Sequence, residues 1–348
     1  MEKIIIFSFT DPMMGLSYES EPVFRKLETH FAGHIEFRYI MSGLVRNVTD
    51  FMTPEERSLP VKKGIEKYNR RLAGIYESEE AISGMPMDMR GFHLFDACHR
   101  SSVPLNVAYK AAQLACPDKA DLFLYNLRYA TIVDGKQTTL REEILQIVRD
   151  TGIDEQNFLY HYENGNANLE FLKDKSFGRA LGIYTLPAYL LQFGDKSLLI
   201  RQLADFNTFA EAIGQLTDHR IFPIAPEVST ETLRCLLLKH PLISPIEIYE
   251  AFNLKNETEL QSLLRPLLAA GEVTIRKVRH GYFISLMFCL ANELRHGSHG
   301  AIHAPGTRLP QQQGNKAQHR RRDHDTVKTK GELRDPGRNR SAVSPLPG

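Results

Sequence analysis

The sequence is short of cysteine, of long apolar runs and of any overall charge of one sign. Each shortage excludes a class of protein. Its 4 cysteines in 348 residues are Cys98, Cys116, Cys235 and Cys289, and none stands in a C-x-x-C pair. A disulfide-stapled scaffold and a cysteine-based zinc site therefore have no local support. No apolar stretch approaches the roughly 18 residues that mark a membrane-spanning helix. The N-terminus runs straight into a strand-like pattern rather than a charged leader. The expectation is a cytoplasmic chain with no membrane partner. Lys and Arg number 43 against 42 Asp and Glu, which excludes a uniformly basic nucleic-acid-binding protein. The balance is uneven, however. Residues 296–348 carry 10 basic and 4 acidic side chains, net +6, which leaves −5 on residues 1–295.

Hydrophobic residues, at 42%, suffice for a substantial core. Residues 4–9 form a buried-strand pattern that ends at Thr10-Asp11-Pro12, a turn able to lead into a helix near Ser17. Val23, Phe24, Leu27 and Phe31 supply that helix with an apolar stripe, and a second strand follows at 35–41. A βαβ opening of this length implies a parallel strand pair covered by a helix. Residues 53–181 then read as helices, with main segments at 62–75, 105–114, 122–132, 139–148 and 166–181. Strand patterns return at 188–193 and 198–200, joined through Gly194-Asp195-Lys196, and residues 206–216 make an amphipathic helix.

Residues 219–226 read as a linker. Beyond it, segments 230–238, 245–252 and 257–270 make three short helices, followed by a ribbon at 272–276 and 281–286. That outline is winged-helix-like. The implied domains are 1–218 with a helical insertion at 53–181, then 227–290, then a disordered basic tail at 293–348. The third helix would be the DNA-reading one, yet it begins with Glu257 and Glu259, which oppose phosphate approach. Candidate nucleic-acid contacts are therefore confined to Arg276, Lys277 and Arg279, with Arg320-Arg321-Arg322 in the tail as a further basic run.

Residues 3–218 resemble the DsbA-like branch of the thioredoxin superfamily, including its cytoplasmic FrnE-like and adaptor-like relatives. The resemblance rests on the strand IIIFSF, the loop DPMMGLSYESEP, the helical insertion and GRALGIYTLPAYLL. It implies an α/β, thioredoxin-like DsbA-type fold. In that branch the opening commonly reads D-P-M-C-x-W-C-Y-G-x-E-P. Here Met14 and Ser17 stand at the two cysteine positions. Thiol–disulfide exchange needs a low-pKa thiolate and a second, resolving thiol. A thioether and a hydroxyl supply neither. Cys98 is the one thiol to check as a substitute, and its plain reading, like that of Cys116, is a reduced, buried small hydrophobe.

Pro187, in Thr185-Leu186-Pro187, resembles the family's cis-proline facing the active loop. The resemblance therefore implies a ligand or peptide surface made of Met13, Met14, Ser17, Tyr18, Leu186 and Pro187. No catalytic residue, metal or cofactor is expected. The leading expectation is a redox-inactive binding, adaptor or regulatory protein with a protein or peptide partner. Alternatives are a thiol-disulfide oxidoreductase and an enzyme like 2-hydroxychromene-2-carboxylate isomerase or kappa-class glutathione transferase. The latter places serine at the first-cysteine position, whereas Ser17 falls three residues later. Such an enzyme would take a small-molecule or glutathione ligand, with Ser17, Tyr18, His93 and Arg100 lining a pocket. His93 and His99 near Cys98 lack a recognised metal-ligand spacing. A DNA-binding regulator acting through the winged-helix-like segment is the remaining alternative.

Overall fold

The computed structural model describes residues 2–287. β1 (Ile4–Thr10), α1 (Gly15–Tyr18), α2 (Glu21–His30) and β2 (Ile35–Met41) open the chain. A helical insertion follows, with α3 (Pro54–Ser58), α4 (Val61–Glu79), α5 (Val103–Ala115), α6 (Pro117–Ile132), α7 (Arg141–Thr151), α8 (Glu155–Glu163) and α9 (Asn166–Ala180). β3 (Ala188–Phe193), β4 (Lys196–Arg201) and α10 (Phe206–Leu216) complete the unit. The sheet order is β2-β1-β3-β4, with β1 parallel to β2 and antiparallel to β3. This is the expected thioredoxin-like, DsbA-type arrangement.

Strand alternation explains the layers, because successive side chains of a strand point to opposite faces. Ile4 and Ile6 of β1 enter a core with Phe24, Leu27, Tyr189 and Phe209, which belongs to α2, β3 and α10. Phe7 and Phe9 point to the other face, where both meet Phe177 of α9 at ring separations of 5.5 Å. Two segments escaped the periodicity. α8 buries Phe158 alone and exposes Tyr160, so it has no apolar stripe to read; Asp154 starts it by accepting the Asn157 N–H. Residues 84–95 are irregular, yet bury Met85, Met87, Met89, Phe92, Leu94 and Phe95 in one cluster with Met13, Tyr68 and Tyr76. Asn69 keeps this strap's backbone satisfied, bonding both the N–H and the C=O of Phe95.

The C-terminal segment builds α11 (Thr230–Lys239), β5 (Leu242–Ile243), α12 (Pro245–Phe252), α13 (Glu257–Ala269), β6 (Val273–Val278) and β7 (Gly281–Leu286). Its sheet is antiparallel, in the order β5-β7-β6. α12 lies against α2. At the centre of that contact Arg25 bonds Glu21 (2.6 Å), Glu28 (2.9 Å) and Glu247 (3.2 Å). Glu21 also accepts from Arg128, and Glu247 from Tyr125 and the Ser244 N–H. Burial with Arg25 nearby pushes His240 down to about 4, so at neutral pH the ring is uncharged beside Glu28. The tail at 293–348, with Arg320-Arg321-Arg322, lies outside the described residues, as do residues 288–290 and Cys289.

Candidate functional site

The site expected from the sequence starts where β1 ends. Asp11 is fully buried, and its carboxylate accepts from the Met13 N–H (3.1 Å), the Leu44 N–H (2.7 Å), Ser102 Oγ (2.8 Å) and Asn106 Nδ2 (2.8 Å). Burial raises its pKa, and these hydrogen bonds oppose the rise. The result is a loop pinned at once to the segment after β2 and to the start of α5. Register then sets its neighbour across the sheet. Phe9 pairs with Ala188, so Thr10 and the loop after it lie at the same sheet end as Leu186-Pro187. The Leu186–Pro187 peptide bond is cis.

The motif itself is covered. Met14 precedes α1 and is 7% exposed, while Met13, Ser17, Tyr18 and Pro187 are also buried and Leu186 is half-buried. Ser17 Oγ accepts from Thr10 Oγ1 at 2.7 Å, and Thr10 Oγ1 accepts from Arg128 at 2.8 Å. Tyr18 donates to the Pro86 carbonyl at 2.9 Å. The cover is the last turn of α4. Tyr76 donates to the Met13 carbonyl, and a Cβ added at Gly15 would fall 1.9 Å from Glu79 Oε2 and 2.8 Å from the Tyr76 ring. Only glycine permits that approach. Met13, Met14, Ser17 and Tyr18 therefore do not form an open ligand surface here. The open part of this sheet end is a recess of about 210 Å³, lined by Leu44, Lys175, Arg179, Ile183, Tyr184 and Leu186 among others, with Tyr184 82% exposed.

Two carboxyls under the cover were not singled out in the sequence. Burial pushes Glu79 up to about 7, and its Oε2 has no hydrogen-bond partner. Burial pushes Glu19 up to about 8, against hydrogen bonds from the Ser83 N–H and hydroxyl; its Oε1 is also unpartnered. The α4 pattern was legible, but an end at residue 75 leaves out the turn holding Tyr76 and Glu79.

The other candidates are scattered. Cys98 is exposed rather than buried and brings no thiol into the buried cluster around Met13. His99 pairs with Asp96 at 3.0 Å, and His93 is exposed beside the Gly91 carbonyl. Among the described residues no group of His, Cys, Asp or Glu could hold a metal ion, and no helix is long and apolar enough to cross a membrane. The basic turn is largely committed to the body of the protein. Arg276 bonds Asp134 at 2.8 Å and lies over the Tyr129 ring, and Arg279 approaches Glu77 at 3.9 Å. His280 next to them pairs with Glu80 at 3.0 Å, whereas Lys277 is exposed.

A family model described as "Thioredoxin" matches residues 7–209. The chain belongs to the thioredoxin superfamily. Curated relatives of this thioredoxin-family chain include the ClpXP adapter protein SpxH of Bacillus subtilis, 22% identical over 281 residues, covering 80% of this chain and 87% of SpxH. SpxH of Shouchella clausii is likewise 22% identical, over 286 residues with the same coverages. Among solved structures, a protein described as a putative disulfide isomerase from Nitrosomonas europaea is 19% identical, with a TM-score of 0.49 over 62% of this chain and 97% of that one. The cytosolic disulfide reductase DsbM of Pseudomonas aeruginosa is 16% identical, with a TM-score of 0.44 over 67% and 98%.

Proposed function

We propose that this chain is a redox-inactive adapter that binds a protein partner in the cytoplasm and presents it to the ClpXP protease. The observation that carries the reading is the pair Met14 and Ser17 at the family's thiol positions, both buried, in a loop whose Met13 and Gly15 are met by Tyr76 and Glu79 of α4. A buried thioether and a hydroxyl already accepting from Thr10 leave no group that can attack a disulfide. The adapter relatives support the positive half, because their match spans the C-terminal segment as well as the thioredoxin unit.

The partner surface is the recess beside Leu186, where Lys175, Arg179 and exposed Tyr184 surround apolar walls. Asp174, also in the lining, is held by Lys110 at 2.8 Å, and the two remaining cations suit an acidic segment carrying an apolar anchor. A DNA-reading role has less support, since Arg276 and Arg279 are engaged by acids and Glu257 accepts from Tyr249, Tyr282 and Gln261 at the start of α13.

The test is reconstitution. Proteins that persist longer in cells lacking this chain should be degraded several-fold faster by purified ClpXP when the chain is added. Tyr184→Ala with Lys175→Glu should remove the acceleration. Insulin reduction should stay at background. Degradation indifferent to the chain, or thiol-dependent turnover of insulin, overturns the reading.

A further inference from the structure

Residues 220–226, between α10 and α11, read Arg-Ile-Phe-Pro-Ile-Ala-Pro and hold no helix, strand, turn or positive φ. The sequence accounts for this extension. Pro223 and Pro226 fix their own φ at about −65°, and each proline disfavours the helical region for the residue before it. Phe222, Pro223, Ala225 and Pro226 are thus pushed toward polyproline II, which repeats every three residues and needs no internal hydrogen bonds. Arg220, Pro223 and Pro226 stand one such turn apart, about 9 Å at roughly 3.1 Å per residue. The same spacing separates two apolar-proline pairs, Phe222-Pro223 and Ala225-Pro226.

The segment is displayed as well as extended. Ile221 packs against the thioredoxin core, and the Ile224 N–H donates to the His30 carbonyl at 2.8 Å. Those anchors hold the backbone, yet Phe222 is 64% exposed and Ile224 68%, and Pro223 and Ala225 are exposed with them. Pro226 is half-buried. Arg220 at the head is exposed too; its Nε donates to the Thr217 carbonyl at 3.0 Å, and Asp218 lies 3.8 Å from Nη2. An ion pair so long and so solvated is worth little, and a better-placed carboxylate displaces it. A segment already held extended loses little conformational entropy on docking. Grooves that take polyproline II are lined by aromatic rings, and a cation one turn ahead of the first proline calls for an acid at that end.

We infer that residues 220–226 dock in an aromatic-lined groove on a partner protein. Phe222-Pro223 and Ala225-Pro226 enter between the rings, and Arg220 meets a carboxylate at the groove's end. This goes beyond the adapter reading, since it depends neither on the recess beside Leu186 nor on ClpXP. The probe is a purified, isotope-labelled SH3 domain with a carboxylate at the arginine-reading end of its groove, titrated with the full chain. Binding should shift the resonances of the groove's aromatic residues. Pro223→Ala with Pro226→Ala should weaken it roughly tenfold or more, because the backbone is no longer set in advance. Arg220→Glu should weaken it by roughly as much, and Arg220→Lys by less. Neutralising the carboxylate on the SH3 domain, with this chain unaltered, should reproduce the Arg220→Glu loss, which separates recognition from any effect on folding. No binding, binding that survives the double proline variant, or indifference to either charge change overturns the inference. Failure of the ClpXP reconstitution removes only the adapter reading, and failure here removes only the docking segment.

Discussion

Two polar regions of this protein begin two residues apart, at Glu19 and Glu21, yet are organised in opposite ways. At the α2–α12 contact every carboxylate has a cation or a donor: Glu21, Glu28 and Glu247 share Arg25, with Arg128, His240 and Tyr125 completing the set. At the last turn of α4, buried Glu19 and half-buried Glu79 have no cation bonded to either among the described residues, and each keeps an unpartnered oxygen. Pairing turns buried charge into a weld between distant segments, since separating the partners would strand each charge. Lack of pairing turns buried carboxyls into protonation-sensitive groups. The first region fastens the C-terminal segment to the thioredoxin unit. The second lies where the last turn of α4 meets the Met13–Gly15 loop.

The sharpest way to break the comparison is Arg25→Ala. It leaves Glu247 buried with no cation and takes one of two from Glu21, which keeps Arg128, and from Glu28, which keeps Lys239. It should cost about 3–5 kcal/mol, read by urea unfolding. A loss below about 1 kcal/mol would mean that packing of α12 on α2, not the ion network, holds the segment.

Gly15→Ala tests the covered side. The new methyl meets Glu79 Oε2 and the Tyr76 ring, and should destabilise by about 1–3 kcal/mol. Adding Glu79→Ala should recover much of that loss. If the double variant is no better than the single, the close approach of α4 is not what excludes a side chain at Gly15.

The smallest effect is a pH slope. Glu19 binds its proton up to about pH 8 when folded but releases it near 4.5 when unfolded. Folding therefore takes up a proton between those values, and stability falls as pH rises through them. Glu79, at about 7, acts in the same sense. His240, depressed to about 4 from 6.5, acts oppositely: its stabilisation is lost as pH falls from 6.5 toward 4. Above pH 6.5 only the carboxyls remain. The melting midpoint should decline from pH 6.5 to 8.5, and Glu19→Gln should flatten most of that decline. An unchanged slope in the variant would place the titration elsewhere.

Local pattern carried much of this protein. The apolar run in 4–9, the stripe Val23-Phe24-Leu27-Phe31 and the Asp11-Pro12 turn specify strand, helix and turn through contacts a few residues apart, and all of them lie where the pattern put them. The replacement of both thiols by Met14 and Ser17 is likewise a property of composition, and it limits the chemistry in any conformation. Burial and pairing were decided only in three dimensions. Nothing in the spacing of Glu247 and Arg25, more than 200 residues apart, announces a shared ion network. Nothing marks Arg276 as the partner of Asp134, so a basic turn that looked free for nucleic acid is mostly spoken for by the body it rests on. Periodicity reports which face of an element is apolar, but not which distant element covers it. The fate of the motif surface depended on the latter, because one further turn of α4 brings Tyr76 and Glu79 onto Met13 and Gly15.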